Sequence, residues 1–218
     1  MDTVINLIYL ASLLASAIFA LIYRKYLSGR KLTILIPYLF AVVIQETVLT
    51  LGTWFHLFKS TAIVYNIYQP VSAVVFAYIY FSIPFMSSLK KLIAVMTIAY
   101  LLLVLVNYSF FESISITSTY PPIARGFLIT FCAVLFLFKY FDLNNINEER
   151  YWRPLIWITA AIAIYYPVVT TSLAFQKYLA LQDATLWGFK LYRLIPRVMS
   201  IFMYNCFSYA FYLCQKIK

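Results

Sequence analysis

The basic residues of this chain collect on alternate connections between apolar stretches of membrane-spanning length. A helix crossing a hydrocarbon core of about 30 Å needs about 20 apolar residues. Residues 4–23, 32–55, 62–83, 92–108, 123–141, 155–175 and 189–214 meet or approach that length. The pattern predicts an all-α polytopic membrane protein with seven transmembrane helices. No connection is long enough to fold alone, so residues 1–218 read as one transmembrane domain.

The charges set an expected orientation. Arg24, Lys25, Arg30 and Lys31 occupy the first loop, Lys90 and Lys91 the third, and Lys139, Arg150 and Arg153 the fifth. Lys216 and Lys218 lie in the tail. The even loops carry only Lys59 and Lys177. Basic loops stay cytoplasmic, so the N-terminus is expected outside and the C-terminus inside. A net charge of +10 would suit a nucleic-acid binder, but these residues are spread along one membrane face. The expected partner is therefore anionic lipid headgroups, at about 1 kcal/mol per residue, and not nucleic acid. Met1-Asp2-Thr3 lacks the positive start of a cleavable signal, so the first helix is expected to be retained. Cys132, Cys206 and Cys214 all fall within apolar stretches, where small apolar packing is the expected role.

Two connections are polar. Residues 109–122 are rich in Ser and Thr and close with Tyr120-Pro121-Pro122. Residues 142–153 hold Asn144-Asn145, Glu148-Glu149 and two arginines, and read as a solvated cytoplasmic connection. Trp54, Trp152 and Trp187 lie at expected helix ends, the place of amphipathic rings. Much of the Tyr and Phe reads as anchoring and core. His56 beside Trp54 reads the same way. Tyr23-Arg24-Lys25-Tyr26 and Phe138-Lys139-Tyr140-Phe141 end the first and fifth stretches alike. Pro37 and Pro154 introduce the second and sixth, and Pro70 and Pro196 interrupt the third and seventh. The pattern suggests a 3+1+3 parallel repeat.

Polar residues within the bilayer are costly, about 2.5–3.5 kcal/mol for an ionised group on insertion scales, and so mark function. Glu46, with Gln45 before it, lies just beyond the expected midplane of the second helix. Asn66 and Gln69 lie three apart in the third, beside Pro70. Arg125 opens the fifth. Tyr166 and Thr170 lie four apart beside Pro167 in the sixth, and Arg193 and Arg197 four apart in the seventh. All fall in the outer half. Groups that cannot face lipid converge on the bundle interior, so these nine residues form the expected ligand-binding set. Arginines outnumber the one glutamate, which favours a small anion held by guanidinium forks. The competing reading is interhelical glue, with Glu46 paired to Arg193 or Arg197.

No catalytic constellation appears: there is no nucleophile elbow, metal-ligand spacing or phosphate loop, and Gly occurs four times. No enzyme activity, cofactor or metal is expected. Helix seven has no lysine at its middle, which argues against a retinal Schiff base. The Pro-Gln signature of the sugar exporters is absent, since Gln69-Pro70 has the reverse order.

Tyr65-Asn66-Ile67-Tyr68-Gln69-Pro70, Arg125 with its apolar run, and Pro154-Leu155-Ile156-Trp157-Ile158 leading to Tyr165-Tyr166 carry a resemblance. The chain resembles uncharacterised seven-helix membrane proteins of Bacteroidota, often encoded beside sensor histidine kinases. That family usually has an acidic residue soon after the helix-three proline, where Ser72 and Ala73 stand here. The resemblance implies a bacterial inner-membrane location and, through genomic company, signalling.

The expected role is thus a non-enzymatic sensor or signalling subunit. It binds a small polar or anionic ligand from the outer side. With a tail ending at Lys218, it acts through a protein partner on the cytoplasmic face. A small-solute transporter and a scaffold subunit are the alternatives.

Overall fold

The computed structural model describes residues 2–57, 60–143, 146–186 and 189–216. Lys59, Asn144-Asn145, Trp187 and Lys218, all used above, lie outside the described residues. Each expected stretch is helical. They form α1 (Asp2–Ile22), α3 (Leu35–Trp54), α4 (Ala62–Phe81), α5 (Lys90–Val106), α6 (Tyr120–Phe141), α7 (Ile146–Ala174) and α9 (Leu191–Lys216). Two short helices, α2 (Arg24–Ser28) and α8 (Gln176–Leu181), sit in connections. A two-residue hairpin, β1 (Thr185–Leu186) with β2 (Phe189–Lys190), precedes α9 and pairs Thr185 with Lys190.

The protein is all-α and helical throughout its apolar segments. Six helices are long and apolar enough to cross a membrane: Val4–Ile22, Leu35–Trp54, Ala62–Phe81, Pro84–Phe111, Tyr120–Phe141 and Glu148–Ala174. α9 is longer than most, at 26 residues, and carries Arg193 and Arg197. The fourth span is a composite in which a 3-10 segment, Pro84–Leu89, leads into α5 and a π segment, Asn107–Phe111, ends it.

Two expectations about connections change. Residues 142–153 are not simply a solvated loop, because α7 already runs from Ile146 and contains both Pro154 and Pro167. Glu148 and Glu149 fall in its first turn, where the helix dipole favours carboxylates. Trp152 behind them packs edge-on against Phe85 at 5.7 Å. In the first loop, Arg30 is more than an orientation charge. It is 3% exposed, its Nε donates to the Tyr151 carbonyl at 2.8 Å, and its Nη1 donates to the Tyr26 carbonyl at 3.0 Å. The guanidinium also lies 4.5 Å from the Tyr151 ring centroid. It therefore ties the end of α2 to α7. His56 holds a left-handed φ of 53° at the end of α3, with the Leu57 amide returning to the Gly52 carbonyl at 2.8 Å, a helix-terminating turn.

The long helices form a ring in chain order. α1 packs on α3 and α9, α9 on α7, α7 on α6, and α6 on α4 and α5. α3 and α4 touch least. Ser16, Ala17 and Ala20 are fully buried on α1, where small residues let neighbouring backbones approach. The composition of the two surfaces is inverted relative to a water-soluble domain. Leu14, Ile18, Ile44, Val48, Ile67, Val71, Ile98, Leu102 and Phe127 are exposed, while Glu46, Asn66, Gln69, Ser72 and Thr159 are buried. An exposed apolar belt of this extent needs a nonpolar solvent or a partner to cover it. The interior is aromatic: Phe76 meets Tyr38 at 5.4 Å, Tyr166 at 6.0 Å and Phe207 at 6.4 Å.

Candidate functional site

The polar side chains inside the bundle gather near the end that carries Ser118, in two linked groups.

The first surrounds Arg125, in the second turn of α6. Pro121 and Pro122 open this helix without losing intrahelical bonds, since amides of the first turn have no acceptor. The Arg125 Nη1 donates to Ser72 Oγ on α4 at 3.1 Å. Its guanidinium lies 5.7 Å from the Tyr68 ring and 5.6 Å from the Tyr166 ring. Its Nε is shielded from solvent and has no hydrogen-bond partner among the described residues. The only ion pair within 4.0 Å among the described residues is Lys190–Asp183, at 3.5 Å on the surface. Arg125 is thus a cation caged by tyrosines with no carboxylate against it. Cation–π contacts of this kind are worth about 0.5–2 kcal/mol each. That recovers part of the desolvation cost, not all of it.

The second group surrounds Glu46 on α3. Tyr65 donates to Oε2 at 3.4 Å. Arg197 and the Tyr9 hydroxyl also act on the carboxylate. The Arg197 guanidinium lies 5.1 Å from the Tyr9 ring, and no ion pair within 4.0 Å joins it to Glu46 among the described residues. The expected pairing of Glu46 with Arg197 is therefore indirect. The groups join through α4, which brings Tyr65 to Glu46 and Tyr68 to Arg125; the Tyr68 hydroxyl shares a hydrogen bond of 2.5 Å with that of Tyr38 on α3.

The other expected residues fall into place around these. Tyr166 belongs to the Arg125 cage. Thr170, one turn on, was expected in the ligand-binding set and packs instead against Gly126 of α6. Asn66 is consumed by the chain itself. Its Nδ2 donates to the carbonyls of Ile114 and Ile116 at 2.8 and 2.7 Å, and its Oδ1 accepts from Ser118 Oγ at 2.8 Å. It pins segment 114–118 across the bundle end. Gln69 Nε2 reaches Asn66 and Ser118, both at 3.5 Å, while its Oε1 is buried without a partner.

The structure does not bring Gln45 and Arg193 to this gathering. Gln45 is one step around α3 from Glu46 and so faces elsewhere. It lines an apolar groove of about 450 Å³ beside Ala41, Ile44, Val48, Leu49 and Val64. Arg193 is exposed in the first turn of α9, 5.5 Å over the ring of Tyr192. Long cationic side chains near helix ends reach outward in this way. A second groove of about 500 Å³, lined by Pro167, Phe175 and Ile195 among others, is also apolar. Neither groove is the expected outward-facing polar cavity, and Arg125 is flanked by the rings of Tyr68 and Tyr166.

Sequence reasoning missed most of the tyrosines. Tyr9, Tyr38, Tyr65, Tyr68, Tyr100 and Tyr165 were expected as anchors or core. For Tyr100 and Tyr165 the available signal was position, since tyrosines in the middle of spans cannot be headgroup anchors; Tyr38 and Tyr65 lie in first turns and gave no such signal.

No family model matches the chain, and no curated protein or solved structure is similar to it.

Proposed function

We propose that this chain is a seven-helix integral membrane protein of a bacterial inner membrane. It works as a non-enzymatic sensor or signalling subunit that binds a small anion at Arg125. α9 serves as the seventh span. The basic connections holding Arg24, Lys25, Lys90, Lys91, Arg150 and Arg153 face the cytoplasm, where a protein partner carries the signal. The Ser118 end then faces outward, and segment 114–118 lies over the site. The resemblance to seven-helix proteins encoded beside sensor kinases points the same way.

One observation carries this reading: a guanidinium inside the bundle that, among the described residues, has no counter-charge within 4.0 Å and an unpartnered Nε. An anion entering there gains a charge-assisted hydrogen bond in a low-dielectric setting. The test is thermal unfolding of the purified protein with small carboxylates and phosphate. A ligand at 100 times its dissociation constant stabilises by about 2.7 kcal/mol. Stabilisation by one of these anions in the wild type, lost in Arg125→Gln, is the expected result. Equal stabilisation of both proteins, or of neither, would remove Arg125 as the site.

A transporter is the second reading, favoured by the packing order. α1 against α3 would correspond to α6 against α7, and α4 against α6 to α9 against α1, although α3 and α4 touch little where α7 and α9 pack closely. Uptake of a labelled anion into vesicles, driven by its own gradient, separates the two.

A further inference from the structure

Gln45 is left out of the bundle interior, and its own chain does not bond it. Its Nε2 has no hydrogen-bond partner among the described residues. The half-buried side chain lines the groove of about 450 Å³, where every other lining residue is apolar. The groove takes Val64 from α4 and the rest from α3, helices that touch each other little. Gln45 is the eleventh of the 20 residues of α3, about 15 Å from either end at 1.5 Å per residue. A hydrocarbon core of about 30 Å therefore holds it near the midplane. Headgroups do not reach that depth, and acyl chains carry no acceptor. An amide left unbonded in hydrocarbon is costly. Polar side chains so placed bond across contacts between helices.

Depth also identifies the occupant. Every copy of one chain enters the membrane the same way round. A two-fold axis between two copies then runs along the membrane normal and sets each residue level with its own counterpart. Gln45 near the axis meets the partner subunit's Gln45. A primary amide carries both a donor and an acceptor, so two of them facing each other are complementary. The last torsion of glutamine is broad, so the amide turns its N–H to the groove without moving the helix. The flanking residues suit such a seam. Ala41, Gln45 and Val48 are spaced by four and three, the interval along one helix–helix contact. Ala41 is exposed and small, which lets backbones approach. Ile44 and Val48 beside it are 63% and 49% exposed.

We propose that the chain is a two-fold dimer in the membrane, packed through α3, with the two Gln45 amides bonded to each other at the groove beside α4. This needs only the membrane-spanning fold and does not depend on the anion reading.

The experiment uses the full chain, with its three native cysteines replaced by alanine, in vesicles of phosphatidylethanolamine and phosphatidylglycerol. Copies carrying donor and acceptor fluorophores on Ser28→Cys are diluted with lipid, and energy transfer gives the dissociation constant. Transfer that falls along a dimer isotherm is expected. Gln45→Leu should raise the dissociation constant roughly three- to twentyfold, the span of measured polar contacts between membrane helices. Gln45→Asn, which keeps an amide, should raise it less. A second arm leaves Gln45 in place and serves if its variants do not fold. Ala41→Cys on α3 and Ile98→Cys on α5, each as the only cysteine, are oxidised in the membrane; Ile98 is 57% exposed and serves as the control. Position 41 should link two copies and position 98 should not. A protein that stays monomeric at every lipid ratio would overturn the proposal and leave the groove to lipid or to another protein. Equal dissociation constants with and without the Gln45 amide, or linkage at 98 in preference to 41, would overturn it as well.

Discussion

Gly126 on α6 approaches Thr170 on α7 so closely that a Cβ on Gly126 would stand 1.9 Å from the Thr170 hydroxyl and 3.0 Å from its Cβ. The helices meet here one residue from Arg125, so this contact sets how far the guanidinium sits from Tyr166. Gly126→Ala should destabilise by about 1–3 kcal/mol, the usual cost of overpacking. Thr170→Ala should recover part of that loss in the double variant. Thermal unfolding of the four proteins, read as a cycle, gives the coupling. Additive losses would mean that the helices separate freely and that the contact positions nothing.

Asn66 holds segment 114–118 by two bonds to backbone carbonyls and one from Ser118. Asn66→Leu should release the segment at a cost of about 1–3 kcal/mol. Amide hydrogen exchange should accelerate across residues 113–119 and change little in α6 and α7. Unchanged exchange in that segment would show that Glu112, which accepts from the Asn107 amide at 2.9 Å and from the Thr119 amide at 3.1 Å, suffices to hold it.

Glu46 is buried, yet no cation lies within 4.0 Å of it among the described residues. Breaking a direct buried ion pair costs about 3–5 kcal/mol. Glu46→Gln keeps an acceptor for Tyr65 and removes a charge that Arg197 does not pair with directly. The expected change in unfolding free energy is within about 1 kcal/mol, or a gain. A loss of the larger size would mean that the two charges pair directly in the membrane.

The proposed orientation is open to thiol labelling. Single cysteines at Ser28 and Ser115, both exposed, are introduced after the three native cysteines are replaced by alanine. An impermeant reagent applied to intact cells should label position 115 and spare position 28. The opposite pattern would invert the protein in the membrane. Ser118 is a poor reporter despite its place in the same connection, because it is buried under Asn66.

The helical framework was legible because length and hydropathy act residue by residue, and spans need little else to declare them. Pro154 misled as a start signal. Proline fits a first turn best, but here the preceding turn is held by Trp152 on Phe85 and Arg30 on Tyr151, contacts that no local rule contains. Arg125 stood out from composition alone, as a cation where cations are expensive. Its cage did not, because Tyr68 and Tyr166 come from helices far away in sequence and only packing brings their rings to it. Gln45 and Glu46 looked like one polar site in the sequence. Successive residues on a helix point about 100° apart, so only one of them could face the interior.

Because α1 lies against α9, the ring also has a birth order. About 150 residues separate Glu46 from Arg197, which at about 5–20 residues per second is roughly ten to thirty seconds of synthesis. Throughout that interval the carboxylate of α3 is in the membrane with only Tyr9 and then Tyr65 for company. The cation that acts on it arrives with the final helix, and so does the neighbour that packs on Tyr9, Ser12 and Tyr23 of α1. Successive hairpins alone cannot finish such a protein. The insertion machinery has to keep the first helix within reach until the last has emerged, and a ribosome that stalls before α9 leaves an open arc with a bare seam on α1.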